Sequence, residues 1–148
     1  MMDNETRLKR FVITGGPGAG KSTLIKIFSK EFADKIQCVP EIPTLLIIQL
    51  GLTPDTREGQ YVFTKEFGQT MYHVQILLEK LSEEVARYTG KTALLLDKAR
   101  LDTLVHFLCN GGTVQEYEKT FNTALPDEYG LYDTVIFIGL PPKEVYEN

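Results

Sequence analysis

Residues Gly15 to Thr23 read GGPGAGKST: four glycines, a proline and an alanine, then one lysine and two hydroxyls. Gly15, Gly20, Lys21 and Ser22 satisfy the spacing G-x-x-x-x-G-K-[ST]. So little side chain beside so much backbone N–H suits a chain of phosphates. Glycines let the backbone curl until its N–H groups point inward, and the positive end of a following helix completes the anion site. In that reading Gly16, Pro17, Gly18 and Ala19 form the cradle, and Lys21 brings a point charge to the β- and γ-phosphates. Ser22 offers a hard oxygen to Mg²⁺, and Thr23 donates to the α-phosphate. A dinucleotide fingerprint fails on spacing: after Gly16 and Gly18, G-x-G-x-x-G demands glycine at position 21, where the chain has lysine.

Two carboxylates stand where apolar runs end. Asp97 follows ALLL, the position from which an aspartate reaches Mg²⁺ in proteins with such a loop; its plainer role is to cap the next helix. Glu41 follows QCVP and is placed to orient or deprotonate a hydroxyl acceptor, the alternative being a solvated acid. Lys98 and Arg100 flank Asp97, either to neutralise phosphate or to sit in solvent, and Asp102 is a weaker candidate. Gln69 and Gln75 are minor candidates for the crevice. His73 and His106 have no second His or Cys at ligand spacing and read as structural. Cys38 and Cys109, in apolar surroundings, read as reduced core thiols.

The elements that must hold these groups follow from periodicity. Arg10 to Thr14 is a short strand apolar on both faces, and Leu24, Ile25, Phe28 and Phe32 make a helical stripe over 21–32. Ile36 to Val39 is a second strand, after which Pro43 opens a helix through Leu50 that is apolar nearly all round and therefore expected to be buried. Leu52 to Gln60 reads as an exposed loop. Phe63, Phe67, Met71, Val74, Leu78, Leu81 and Val85 then recur at helical spacing, predicting roughly seven turns whose apolar stripe is core. Thr92 to Leu96 is a third strand. Leu101, Leu104, Val105 and Leu108 form the next helical face, closed by Gly111 and Gly112. TVQE at 113–116 is a capping box for a helix stopped by Pro126. YDTVIFIG is a fourth buried strand. Strands apolar on both faces, separated by helices, predict an α/β three-layer sandwich: a parallel sheet of four strands with helices on both faces.

The 148 residues are enough for one core, with 1–9 as an N-terminal extension and 10–148 as the nucleotide-binding domain. A net charge of −4 argues against a nucleic-acid partner, and no apolar run is long enough for a membrane span. The charged first residues lack the apolar core of a secretory signal, so the expected location is cytoplasmic.

Four blocks, VITGGPGAGKST, VPEIPTLLIIQLG, LLLDKARLDTLVHF and YDTVIFIG, together resemble the AAA-type P-loop domains related to ribosylnicotinamide kinases and, more distantly, to deoxynucleoside and thymidylate kinases. The resemblance runs from Phe11 to Tyr146. It implies phosphates on Gly16 to Thr23, an acceptor-side Glu41 and a magnesium-side Asp97, with ATP or GTP and Mg²⁺ as cofactors. The chain departs from the family where Lys98 and Ala99 stand in place of Arg and Gly, which keeps a charge but loses the bidentate fork. Relatives also continue past the fourth strand with an Arg-bearing lid, so the chain is expected to lack that lid and the last strand.

Two functions are consistent with this reading. One is a kinase moving the γ-phosphoryl to a small hydroxyl-bearing metabolite such as a nucleoside. The other is a nucleotide-binding regulatory module or NTPase with little transfer. The N-K-x-D signature of a switch GTPase does not occur. Oligomeric state stays open.

Overall fold

The computed structural model describes residues 7–16, 18–51, 55–57, 60–62 and 65–140. Its main sheet is built from strands β1 (Lys9–Gly15), β2 (Ile36–Val39), β5 (Ala93–Asp97) and β6 (Thr134–Ile138), in the order β2-β5-β1-β6 and parallel throughout. The strand with the most continuous apolar run, β5, has Ala93 to Leu96 buried on both faces and lies inside the sheet. Register fixes the two faces: Val12 pairs with Leu96, and Leu96 with Val39, so these three project the same way.

That face is covered by helix α3 (Lys65–Tyr88), whose Ala86 joins Val12, Val39, Leu94 and Leu96 in one cluster. The opposite face carries α1 (Lys21–Glu31), whose Ser29 hydroxyl lies 2.9 Å from Cys38 Sγ, on the side of β2 that Val39 does not use. Helices on both faces of a parallel sheet complete the predicted sandwich.

Several expectations are corrected. The segment after Glu41 is not one buried helix. It is a short α2 (Ile42–Thr44) that runs into a π-helical turn over Leu45–Gln49. Only Ile42 and Leu46 are buried, against Phe67 and Met71 of α3, while Ile48 and Leu50 face solvent. The expected loop before α3 contains a hairpin, β3 (Asp55–Arg57) with β4 (Gln60–Val62), paired Asp55 to Val62 and Arg57 to Gln60; Phe63 lies outside the described residues.

Helix α3 has the predicted length, but its inward face is rotated. Phe67, Met71 and Tyr72 are buried, and so are Gln75, Glu79 and Ser82, while Leu81 and Val85 are about half exposed. The cause is electrostatic: Glu79 turns inward to meet two arginines. Its Oε2 accepts from Arg10 at 3.1 Å and Arg100 at 3.0 Å, and its Oε1 accepts from Gln75 at 2.9 Å and the Tyr132 hydroxyl at 2.9 Å.

After β5 come α4 (Arg100–Cys109) and α5 (Val114–Phe121). The capping box forms, with Thr113 Oγ1 accepting from Glu116 N and Glu116 Oε2 from Thr113 N. Yet α5 ends at Asn122 in the left-handed region, and Pro126 sits in the first turn of a further short helix, α6 (Leu125–Tyr129), instead of stopping α5. Glu128 of α6 is fully buried and accepts from the hydroxyls of Tyr72 and Tyr117. Strand β6 is an edge strand with Val135 and Phe137 exposed, not a buried one. Cys109 is likewise exposed, not core.

Candidate functional site

The glycine segment leaves β1 and enters α1 as its composition requires. Gly18 and Gly20 have φ of 75° and 85°, the left-handed region where a side chain is strained. Gly15 admits no Cβ, which would lie 2.5 Å from the carbonyl oxygen of Ile138 in β6. Gly20 caps α1 without a side-chain acceptor, and no acidic residue occupies the first turn. The helix therefore presents unneutralised N–H groups and the positive end of its dipole to the loop. Ser22 and Thr23 are exposed there. Pro17 lies outside the described residues.

Lys21 is buried, and its Nζ lies 2.7 Å from Asp97 Oδ1. Asp97 does not cap α4: Ala99 holds that position, and Asp102 supplies the carboxylate that accepts from Ala99 N at 2.7 Å. The other oxygen of Asp102 accepts from Thr14 Oγ1 at 2.6 Å, tying α4 to the C-terminal end of β1.

A second ion pair runs beside the first. Lys98 Nζ lies 2.9 Å from Glu41 Oε1, and Thr44 Oγ1 donates to Glu41 Oε2 at 3.0 Å. Lys98 reaches Glu41 from a backbone at φ 67°, in the left-handed region, with its N–H held by the carbonyl of Ile13 at 3.0 Å. Burial pushes the Glu41 carboxyl up, but hydrogen bonding and charge from Lys98, with help from Lys21, outweigh it and leave the group below its ordinary value. Asp97 goes the other way. Burial dominates, Lys21 only partly offsets it, and the charge of Glu41 adds to the rise.

The four candidates Lys21, Glu41, Asp97 and Lys98 are thus assembled at the carboxyl ends of three neighbouring strands, where open α/β sheets hold ligands. Arg100 is not among them. Its guanidinium is committed to Glu79, and its Nε is buried without a partner among the described residues. Gln75 is bound to Glu79, and His73 Nδ1 lies 2.8 Å from the Gln69 carbonyl. Among the described residues, no cluster of three or more His, Cys, Asp or Glu could hold a metal ion.

Beside the loop lies a cavity of about 730 Å³, bordered by Gly15, Gly16, Glu41 and Lys98 on one side. Its remaining walls come from the π-helical turn, from α4 and from β6. Reading the chain as a sequence missed these wall residues. In the sheet Val135 and Phe137 share a face with Val12 and Thr14, but the uniformly apolar run VIFI carried no sign of which face would line a cavity. His106, read as structural, also lines the cavity; burial and the charge of Lys98 hold its imidazole below the usual value.

A four-stranded parallel sheet, flanking helices and a G-x-x-x-x-G-K-S loop between β1 and α1 define a nucleotide-binding domain of the P-loop type. The chain belongs to the AAA domain family, which it matches over residues 10–147. None of the curated proteins matches it. Among solved structures it is similar to a deoxyadenosine kinase from M. mycoides with the products dCMP and a flexible dCDP bound. Identity is 20%, over 93% of this chain and 68% of that one, with a TM-score of 0.44. At that score the likeness carries no weight for function. No helix among the described residues is long and apolar enough to cross a membrane.

Proposed function

We propose that the protein is a phosphotransferase that binds ATP or GTP on the loop from Gly15 to Thr23 and moves the γ-phosphoryl to a hydroxyl of a small molecule seated in the adjoining cavity. The observation that carries this reading is the placement of Glu41. Glu41 lines the cavity together with Gly15 and Gly16, whereas Asp97 is not part of that lining and is paired with Lys21. One acid thus serves the acceptor and the other the phosphates. The sequence resemblance, which implies an acceptor-side Glu41 and a magnesium-side Asp97, agrees with that division.

In this scheme the triphosphate takes Lys21 from Asp97, and backbone N–H groups hold the remaining phosphate oxygens. The acceptor oxygen attacks the γ-phosphorus. A P–O bond forms, the bond to the β–γ bridging oxygen breaks, and its electron pair leaves with the nucleoside diphosphate. The hydroxyl proton passes to Glu41. Because Lys98 keeps Glu41 ionised at neutral pH, the carboxylate is ready to align the hydroxyl, and its main contribution is positioning.

Ser22 and Asp97 fit a magnesium ion arriving with the nucleotide. Both offer hard oxygens, and a divalent cation would relieve the unfavourable burial of Asp97 beside Glu41. When bound, such an ion would shield the phosphate charge.

The test is transfer of label from γ-labelled ATP or GTP to a panel of alcohols and nucleosides, comparing the native protein with Glu41→Gln. Expected is a labelled ester from the native protein, with turnover down by about 10² or more in the variant and nucleotide affinity kept. Release of inorganic phosphate alone, equal in both proteins, would instead establish the second reading, an NTPase or regulatory module. The observation favouring that reading is that Glu41 is already paired to Lys98.

A further inference from the structure

The cavity beside the loop has an uneven chemistry. Much of its polar lining is already bonded: Thr14 to Asp102, Glu41 to Lys98 and Thr44, and the Tyr132 hydroxyl to Glu79. Its outer walls are apolar and open. Ile48, Val105, Val135 and Phe137 are 71%, 57%, 54% and 74% exposed, and all four line this one space although they come from three different elements. No Asn, Gln or Arg occurs among the described lining residues. His106 also lines the space, from the α4 side.

We infer that the acceptor is an alcohol with an apolar body, aliphatic or aromatic, whose hydroxyl lies at Glu41 and whose carbon skeleton covers the four exposed side chains. This rests on the phosphotransferase reading and narrows it. A nucleobase seated against these four side chains would find no amide or guanidinium partner for its donors and acceptors and would gain no selective hydrogen bond there. A site that selects a polar ring supplies matching polar groups. Carbon–hydrogen surface needs none, and each methylene taken from water adds about 0.8 kcal/mol, or roughly fourfold in affinity.

Titration calorimetry with 1-alkanols from butanol to decanol, and with adenosine and thymidine, tests this on the whole protein with a non-hydrolysable triphosphate present. Affinity should rise roughly three- to fourfold per methylene until the cavity is filled, and Val105→Asn should weaken octanol about tenfold. Leu77→Asn, exposed on α3 and absent from the lining, is the control and should change nothing. An affinity that does not grow with chain length, or nucleosides binding more tightly than octanol, would overturn the inference. The transfer assay separates the two claims. Alkanol binding without labelled ester keeps the apolar ligand class and removes the kinase, whereas labelled nucleoside without alkanol binding keeps the kinase and removes the apolar acceptor.

Discussion

Replacing Glu79 by alanine should destabilise the protein more than any change at the loop. Glu79 is completely buried and its two oxygens accept four hydrogen bonds, two of them from guanidinium groups. Arg10 keeps a second carboxylate, Glu83, at 2.7 Å. Among the described residues Arg100 has no other ion pair on its largely buried side chain, and its Nε has no partner. The variant therefore strands one buried cation, which costs about 3–5 kcal/mol when a pair is broken from one side. A chain of this length has about 7–22 kcal/mol in total, so the loss is a large fraction. The corresponding fall in Tm is about 6–20 °C. Urea and thermal unfolding followed by circular dichroism measure it. Removing both charges, in Glu79→Ala with Arg100→Met, should recover about 1–3 kcal/mol of the loss, the coupling of a close pair. Should Glu79→Ala prove too unstable to purify, Glu79→Gln, which keeps the shape and loses the charge, should still lie below the native protein. A Glu79→Ala midpoint within about 1 kcal/mol of native would show that water or a rearranged Glu83 replaces the hub, refuting the account of why α3 is rotated.

Lys21→Ala should weaken triphosphate binding far more than monophosphate binding, since backbone N–H groups hold the rest; equal loss for both, read by calorimetry, would place the lysine elsewhere. Asp97→Asn should leave metal-free nucleotide binding nearly unchanged while removing most of the gain from added magnesium, which paired titrations with and without the ion will reveal. Lys98→Met should cost about 1 kcal/mol at pH 7. Because the folded-state value of Glu41 lies below its unfolded one, the contribution of that pair is complete above the unfolded value and vanishes as pH falls through the folded one. Unfolding curves of variant and native protein should accordingly converge as pH falls below the ordinary glutamate range, and a gap independent of pH would assign the cost to packing.

The parts of the fold written locally were legible. The loop, the run ALLLD and the capping box at Thr113 each depend on neighbours within a few positions, and each takes the expected form. What failed depends on distant partners. The stripe of α3 includes Leu81 and Val85 on periodicity alone, whereas the true inward face is set by Arg10, 69 residues away from Glu79. The hairpin β3–β4 is hidden because Pro54, Gly59 and three charges resemble a loop. TVIFI looks buried as a string, and only its place at the sheet edge exposes it. At the site, the two acids and Lys21 stood out by residue type. That Lys98 would adopt a left-handed backbone and pair with Glu41, and that Arg100 would be drawn into the core, could not be read without the third dimension.

The close approach of Gly15 to the Ile138 carbonyl has a mechanical meaning. With no side chain between them, β6 and the start of the loop touch backbone to backbone, and a compression on one is passed to the other without a soft element to absorb it. Val135 and Phe137 sit on that same strand and form the cavity wall. An occupant leaning on β6 therefore pushes on the first peptide of the loop. The edge strand that walls the cavity and the strand that leads into the glycine loop meet through backbone alone, with no side chain to cushion the contact.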